Sequence, residues 1–193
     1  MLEVLELSNN YLTGTIPKCL IEKEELRVLK LRSNKLMGTI DAFPSSCRLE
    51  ILDVNGNFLQ GKLPEYLVNC TSLMILDLGN NQINDKFPCR FKNISALRVL
   101  ILQSNNLHGT IECPSTQAAW PNLQIIDLAK NNLSGRIPPA FFKTWKTMMI
   151  DDKWRLWYWE RVDAILYRIF PQLDFVYEQH AGKNYRTLRW KPR

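Results

Sequence analysis

The sequence predicts an α/β-type repeat solenoid with short parallel strands on its concave face. Three observations predict it: a motif recurring at a near-constant period, an alternation of leucines inside that motif, and an asparagine at the same place in every copy. The skeleton Leu-x-x-Leu/Ile-x-Leu-x-x-Asn-x-Leu-x-Gly-x-Ile-Pro runs through both "LEVLELSNNYLTGTIP" and "LQIIDLAKNNLSGRIP". Copies start at Leu2, Leu26, Leu49, Leu73, Leu97 and Leu123, with spacings of 24, 23, 24, 24 and 26 residues. A period in this range marks a chain built as a stacked array, here over residues 1–150.

Each part of the motif has a physical role. Alternation in Leu-x-Leu places Leu5, Leu7 and their counterparts on one face of a short strand and turns the intervening residues outward. One coil alone cannot bury its leucines; stacking coils as parallel strands about 4.8 Å apart pairs the backbones and merges the leucines into one core. The ninth-position asparagines Asn10, Asn34, Asn57, Asn81, Asn105 and Asn131 suit the corner after the strand, where an amide both donates to and accepts from backbone groups the turn leaves open. Gly14, Gly38, Gly61, Gly109 and Gly135 at the thirteenth position supply a positive φ for the return, and Asp85 stands in the remaining copy as a residue that tolerates the left-handed region. The Ile-Pro that follows directs the chain to the outer side of the coil.

These copies resemble plant-type extracellular leucine-rich repeats, whose hallmark is Gly-x-Ile-Pro after the asparagine. More narrowly, "NNQINDKFPCRFKNISALRVLILQSNNLHGTI" and "WPNLQIIDLAKNNLSGRIPPAFFKTWKTMM" resemble the last ectodomain repeats of plant receptor-like proteins of the disease-resistance type. The resemblance implies a cell-surface ectodomain that recognises a peptide, protein or carbohydrate ligand in defence or development signalling. It also implies a kinase-bearing co-receptor and, for the intact receptor, a place on the extracellular face of the plasma membrane. Met1 leads straight into a repeat and no apolar run reaches the length of a membrane span, so the expectation is a fragment of a longer receptor. Two alternatives remain: a secreted inhibitor of a cell-wall-degrading enzyme built on the same repeat, or a truncated product without a function of its own.

Charge and catalytic chemistry narrow the classes. The net charge of +6 divides evenly along the chain and leaves no basic tract, which argues against nucleic-acid binding. Only His108 and His180 are present, and no nucleophile, metal-ligand or phosphate-loop spacing occurs. The expectation is a binding protein, not an enzyme, with no cofactor and no metal. Asp53 and Asp77 sit side by side in the repeat frame, but strands without a pocket are not expected to shift a carboxylate's pKa.

The frame also organises the remaining candidates. Cys47 and Cys70 share the twenty-second position of adjacent copies, and Cys89 and Cys113 the seventeenth of the next pair. Stacking places such pairs within disulfide reach, although small buried cysteines that merely pack would give the same pattern. Cys19 has no matching partner. Sequons at Asn69, Asn93 and Asn132 mark glycosylation candidates. The outward fifth and seventh positions of the strands are where a ligand would lie: Lys30, Arg32, Asp53, Asn55, Asp77, Gly79, Ile101, Gln103 and Asp127. Gly56 and Gly79 leave room there for a ligand backbone, and the opposing reading is a solvated face of self-compensating charges.

Residues 151–193 leave the pattern. Trp154, Trp157, Tyr158, Arg161, Val162, Ile165 and Ile169 recur at the spacing of one amphipathic helix over about 153–170. Three readings stand: a cap on the sixth coil, an interfacial membrane helix, or mistranslated sequence from an intron or shifted frame. The closing "GKNYRTLRWKPR" reads as polar, basic and frayed.

Overall fold

The computed structural model describes residues 2–40, 46–113 and 120–137, together with the backbone of 173–180 and 183–190. The chain divides into two compact units, Met1–Met149 and Ile150–Arg193. In the first unit the Leu-x-Leu segments form β1 (Val4–Glu6), β3 (Val28–Lys30), β5 (Ile51–Asp53), β7 (Ile75–Asp77), β9 (Val99–Ile101) and β11 (Ile125–Asp127). They lie in chain order as one six-stranded sheet. Every pairing is parallel and every fifth-position residue faces its counterpart: Glu6 to Lys30, Lys30 to Asp53, Asp53 to Asp77, Asp77 to Ile101 and Ile101 to Asp127.

Behind this sheet the motif leucines merge into one core. Leu29, Leu52, Leu76 and Leu100 are fully buried, as are Val54, Leu78 and Leu102 from the sixth position. In the first coil, whose strand β1 is the edge of the sheet, Leu5 is half-buried and Leu7 exposed. The asparagines tie coil to coil. Asn57 donates to its own Val54 carbonyl at 2.9 Å and to the preceding coil's Leu31 carbonyl at 3.0 Å, and accepts from the preceding coil's Leu36 N–H at 3.0 Å. Asn34, Asn81, Asn105 and Asn131 repeat this bridge, whereas among the described residues Asn10 bonds to Leu7 and Ser8 of its own coil alone.

A second sheet forms on the flank after the asparagine: β2 (Thr13–Gly14), β4 (Lys35–Gly38), β6 (Phe58–Gly61) and β8 (Gln82–Ile83). It stops at β8, and β10 (His108–Thr110) with β12 (Asn132–Ser134) makes a separate pair, linked to the rest by the Lys86 to His108 bridge and the Asn106 N–H bond to the Ile83 carbonyl. The interruption falls on Asp85. Five glycines in its column have φ between 82° and 84°, but Asp85 is not in the left-handed region, so the left-handed turn for which an aspartate would be tolerable does not form there. A Cβ at Gly38, Gly61 or Gly135 would lie 2.8 to 2.9 Å from the methyl of Thr15, Thr39 or Thr110 in the coil before. Ahead of Asp85 that residue is Lys62, not threonine, and the Asp85 carboxylate accepts from Leu63 N–H at 3.0 Å and Lys86 N–H at 2.8 Å. The aspartate therefore closes its turn by side-chain bonding where the glycines do so by φ. The residue that does need αL in every coil is the one before the asparagine: Asn9, Ser33, Gly56, Asn80, Ser104 and Lys130 all have φ between 51° and 69°.

On the outer side, α1 (Lys18–Ile21) and two 3-10 turns, Glu65–Asn69 and Cys89–Asn93, follow the prolines Pro17, Pro64 and Pro88. Disulfides join Cys47 to Cys70 and Cys89 to Cys113, with Cα separations of 4.7 and 5.5 Å; Cys19 is free and exposed.

The second unit contains β13 (Leu173–His180) paired antiparallel with β14 (Lys183–Trp190). The segment expected to fray is thus a strand over most of its length. Its physical reason is composition: Tyr185, Thr187 and Trp190 stand in register with Glu178, Val176 and Leu173, and β-branched and aromatic types favour a paired ladder. The amphipathic helix expected at about 153–170 lies outside the described residues.

Candidate ligand-binding face

The repeat period puts all nine candidate residues on the concave sheet or at its strand exits, but they differ in accessibility. Asp53, Asn55, Asp77 and Gly79 are buried, while Lys30, Arg32, Ile101, Gln103 and Asp127 are half-buried. What covers the middle is the cluster's own bonding. Asn55 Nδ2 reaches across to Asp77 Oδ1 at 2.9 Å, and Asn80 Nδ2 donates to Asn55 Oδ1 at 3.0 Å. The room expected at Gly79 is already filled: a Cβ there would stand 2.7 Å from Asn55 Nδ2 and 3.2 Å from Gln103 Cγ.

The fifth-position acids also brace their own strand ends. Asp53 accepts from Asn55 N–H, Asp77 from Gly79 N–H and Asp127 from Ala129 N–H, each at 3.0 Å, and Glu6 from Ser8 N–H at 3.2 Å. Asp is frequent in this column because its carboxylate satisfies the N–H two residues on, a turn device that serves structure before recognition. Cations complete the arrangement: Lys30 pairs with Glu6 at 3.1 Å, and Arg32 lies 3.7 Å from the fully buried Asp77 Oδ2.

Two buried carboxylates on adjacent strands disfavour ionisation together. Burial, and then the negative charge of Asp77, push the Asp53 carboxyl up to about 7, against the opposing pull of the Asn55 N–H, Arg32 and Lys30. Burial raises Asp77 as well, although Asn55, the Gly79 N–H and Arg32 oppose it. The expectation that this column would keep ordinary carboxylate pKa values is corrected: no pocket is needed, because neighbouring side chains exclude the water. Among the described residues no cluster of His, Cys, Asp or Glu is able to hold a metal ion.

Of the sequons, Asn93 and Asn132 are exposed, and Asn69 is half-buried beside the disulfide-bonded Cys70. A charged groove lined by Glu3, Glu25, Arg27, Arg48, Glu50 and Ser72 borders the start of the concave strands; Arg27 is already paired with Glu50 at 2.5 Å and Glu3 at 3.8 Å. Among the described residues no helix is long and apolar enough to cross a membrane.

Comparison with known proteins agrees with this architecture. Family models described as "Leucine rich repeat" match residues 47–107, and as "Leucine Rich Repeat" residues 1–22 and 122–144. The leucine-rich repeat ectodomain of the receptor kinase SOBIR1 from Arabidopsis thaliana superposes with a TM-score of 0.60 at 31% identity, over 68% of this chain and 72% of that one. The chain belongs to the plant leucine-rich repeat receptor family. Within that family it is 41% identical over 151 residues to Receptor-like protein 54 of Arabidopsis thaliana, covering 78% of this chain and 19% of the relative. The repeat chain thus spans about a fifth of the length of that curated relative. The ectodomain of the Arabidopsis receptor kinase HAESA, solved with the peptide hormone IDA and the co-receptor SERK1, shares 32% identity and a TM-score of 0.64 over 73% of this chain and 24% of that one. The plant leucine-rich repeat chain is therefore a stretch of receptor ectodomain.

Proposed function

We propose that this stretch of ectodomain recognises an extracellular peptide along its concave sheet, in defence or development signalling, and acts in the intact receptor with a kinase co-receptor. The observation that carries the reading is the in-register sheet, whose still-accessible groups, Lys30 and Arg32 toward one end and Ile101, Gln103 and Asp127 toward the other, flank a sealed polar centre. An extended peptide laid across such strands meets an end of ion-paired cations, Lys30 with Glu6 and Arg32 with Asp77, and an apolar-to-acidic end, an asymmetry that favours one direction. The peptide and co-receptor present in the HAESA complex support this reading. It is tested by binding a synthetic library of extended peptides of both charge signs to the secreted receptor ectodomain. Peptides retained by the native ectodomain are expected to be lost when Ile101 and Gln103 are both changed to Arg, and kept when Arg90 on the outer side is changed to Glu. Retention by the doubly substituted ectodomain would move the recognition surface off the concave sheet.

A further inference from the structure

The flank sheet carries a surface that the concave-face reading does not use. Its outward residues are the tenth, twelfth and fourteenth positions of the six copies, and all eighteen are exposed. None of the eighteen is acidic, whereas Lys35, Lys62, Lys86 and Arg136 are all basic. The sequence hides this, because residues some two dozen apart along the chain become neighbours only when the coils stack; read linearly, the same cations form no tract.

The uncharged members are equally distinctive. Tyr11, Met37 and Phe58 stand 83%, 50% and 49% exposed in the first three coils, with Lys35 Nζ 5.4 Å from the centre of the Tyr11 ring. Met37 and Phe58 are direct partners in the β4 to β6 register. Beyond them the face turns to amides, Gln60, Gln82, Asn84 and Asn106. Gln60 and Gln82 are register partners, so their amides lie one strand apart. Exposed rings offer flat apolar platforms, amides offer both donors and acceptors, and the cations bring long-range attraction for negative charge.

We propose that this flank binds a linear acidic polysaccharide, a polyuronate, lying along the solenoid axis. A sugar ring has apolar faces that stack on Tyr11 and Phe58, hydroxyls that exchange hydrogen bonds with the glutamine and asparagine amides, and a carboxylate for the lysines. The strand spacing of about 4.8 Å, at which successive coils present these groups, is close to the length of one ring in an extended chain. Charge complementarity selects the acidic polymer over a neutral one, since these four cations face solvent and the acid beside them among the described residues, the half-buried Asp85, is already held by the Leu63 and Lys86 N–H groups. The mixture of rings and amides favours a hydroxyl-rich chain over nucleic acid, whose recognition here would need a denser set of phosphate contacts. Asn132 belongs to the same face in the sixth coil, so beside a glycan at that sequon the track runs over the first five coils.

The test uses the full chain and a polygalacturonate oligomer, measured by calorimetry beside its fully methyl-esterified form and a single-stranded DNA of equal charge. The expected result is binding of the acid form only, weakening about tenfold between 50 and 200 mM salt as roughly two counterions are released. Exchanging Lys35, Lys62 and Lys86 together for Gln is expected to weaken it at least tenfold, and Tyr11→Ala with Phe58→Ala severalfold. The equally charged control, Lys18→Gln with Lys23→Gln and Arg90→Gln on the outer side, should bind as the native chain does. Equal loss in the control, equal binding of the ester, or equal binding of the DNA would each overturn the proposal. Because none of these substitutions touches the concave sheet, failure here leaves the peptide reading standing, and the reverse.

Discussion

On the concave sheet the fifth- and seventh-position side chains of the middle coils reach their neighbours and close over one another; on the flank sheet, made by the same copies, every outward side chain stands in solvent. The first sheet runs unbroken through six strands and the second is divided after β8. The contrast follows from what each column contains. Short acceptors such as Asp53 and Asp77 satisfy backbone donors and each other's neighbours, so they are drawn inward. The lysines, glutamines and aromatics of the flank extend into solvent, with Lys35 lying over the Tyr11 ring. A repeat thus fixes where a residue lies in the array, while the chemistry of adjacent copies decides whether a ligand is able to reach it.

The largest test of this difference is truncation. Leu76, wholly buried behind the concave sheet, is expected to cost about 3 kcal/mol as Leu76→Ala, whereas Phe58→Ala on the flank should stay within about 0.5 kcal/mol, both read by denaturant unfolding. Similar losses at both sites would mean the flank is covered after all. Next comes the asparagine ladder: Asn81→Ala leaves Leu59 N–H and the Val54 carbonyl without their bonds and should cost about 2.5 kcal/mol, while Asn10→Ala, which bridges to no other coil, should cost well under half of that.

The buried carboxylates give a pH signature. A carboxyl whose folded pKa lies above its unfolded value stabilises the fold fully only below the unfolded value, near 3.8 for Asp53, and that contribution is lost as pH rises through about 7. Stability should therefore fall by roughly 3 kcal/mol between pH 4 and pH 7 and level off from about pH 8. In Asp53→Asn the slope should flatten; an unchanged slope would place the titration elsewhere. The smallest effect is at the turn glycines. Gly109→Ala pays only for its positive φ, about 1 kcal/mol, because nothing lies within 4 Å of the added methyl. Gly61→Ala meets the Thr39 methyl at 2.8 Å as well and should cost about 1 kcal/mol more.

Much of the fold was legible because it is periodic. The copy starts, the buried leucine columns and the bonding of the asparagines all follow from aligning the chain with itself. What was not legible depends on pairs of adjacent copies. Nothing in Asp77 alone says that Asn55 will cross to it, or that Gly79 is small because Asn55 and Gln103 need the space. Asp85 makes the same point: its departure from glycine became intelligible only beside Lys62, where Gly38, Gly61 and Gly135 each stand against a threonine. The αL residue before each asparagine escaped notice because Asn, Ser, Gly and Lys share that column and no single type marks it. In the second unit the aromatic and charged residues have no repeat to align with, and composition alone did not disclose the β13 and β14 pair.

The ladder bonds also have a direction. Each inter-coil asparagine reaches back, donating to the sixth-position carbonyl of the coil before it and accepting from that coil's eleventh-position N–H, as Asn34 does to Leu7 and Leu12. A coil is therefore finished by its successor. During synthesis from the amino end the newest coil always waits on residues not yet made, so the growing edge travels one coil behind the ribosome and a defect in one asparagine is felt upstream of itself.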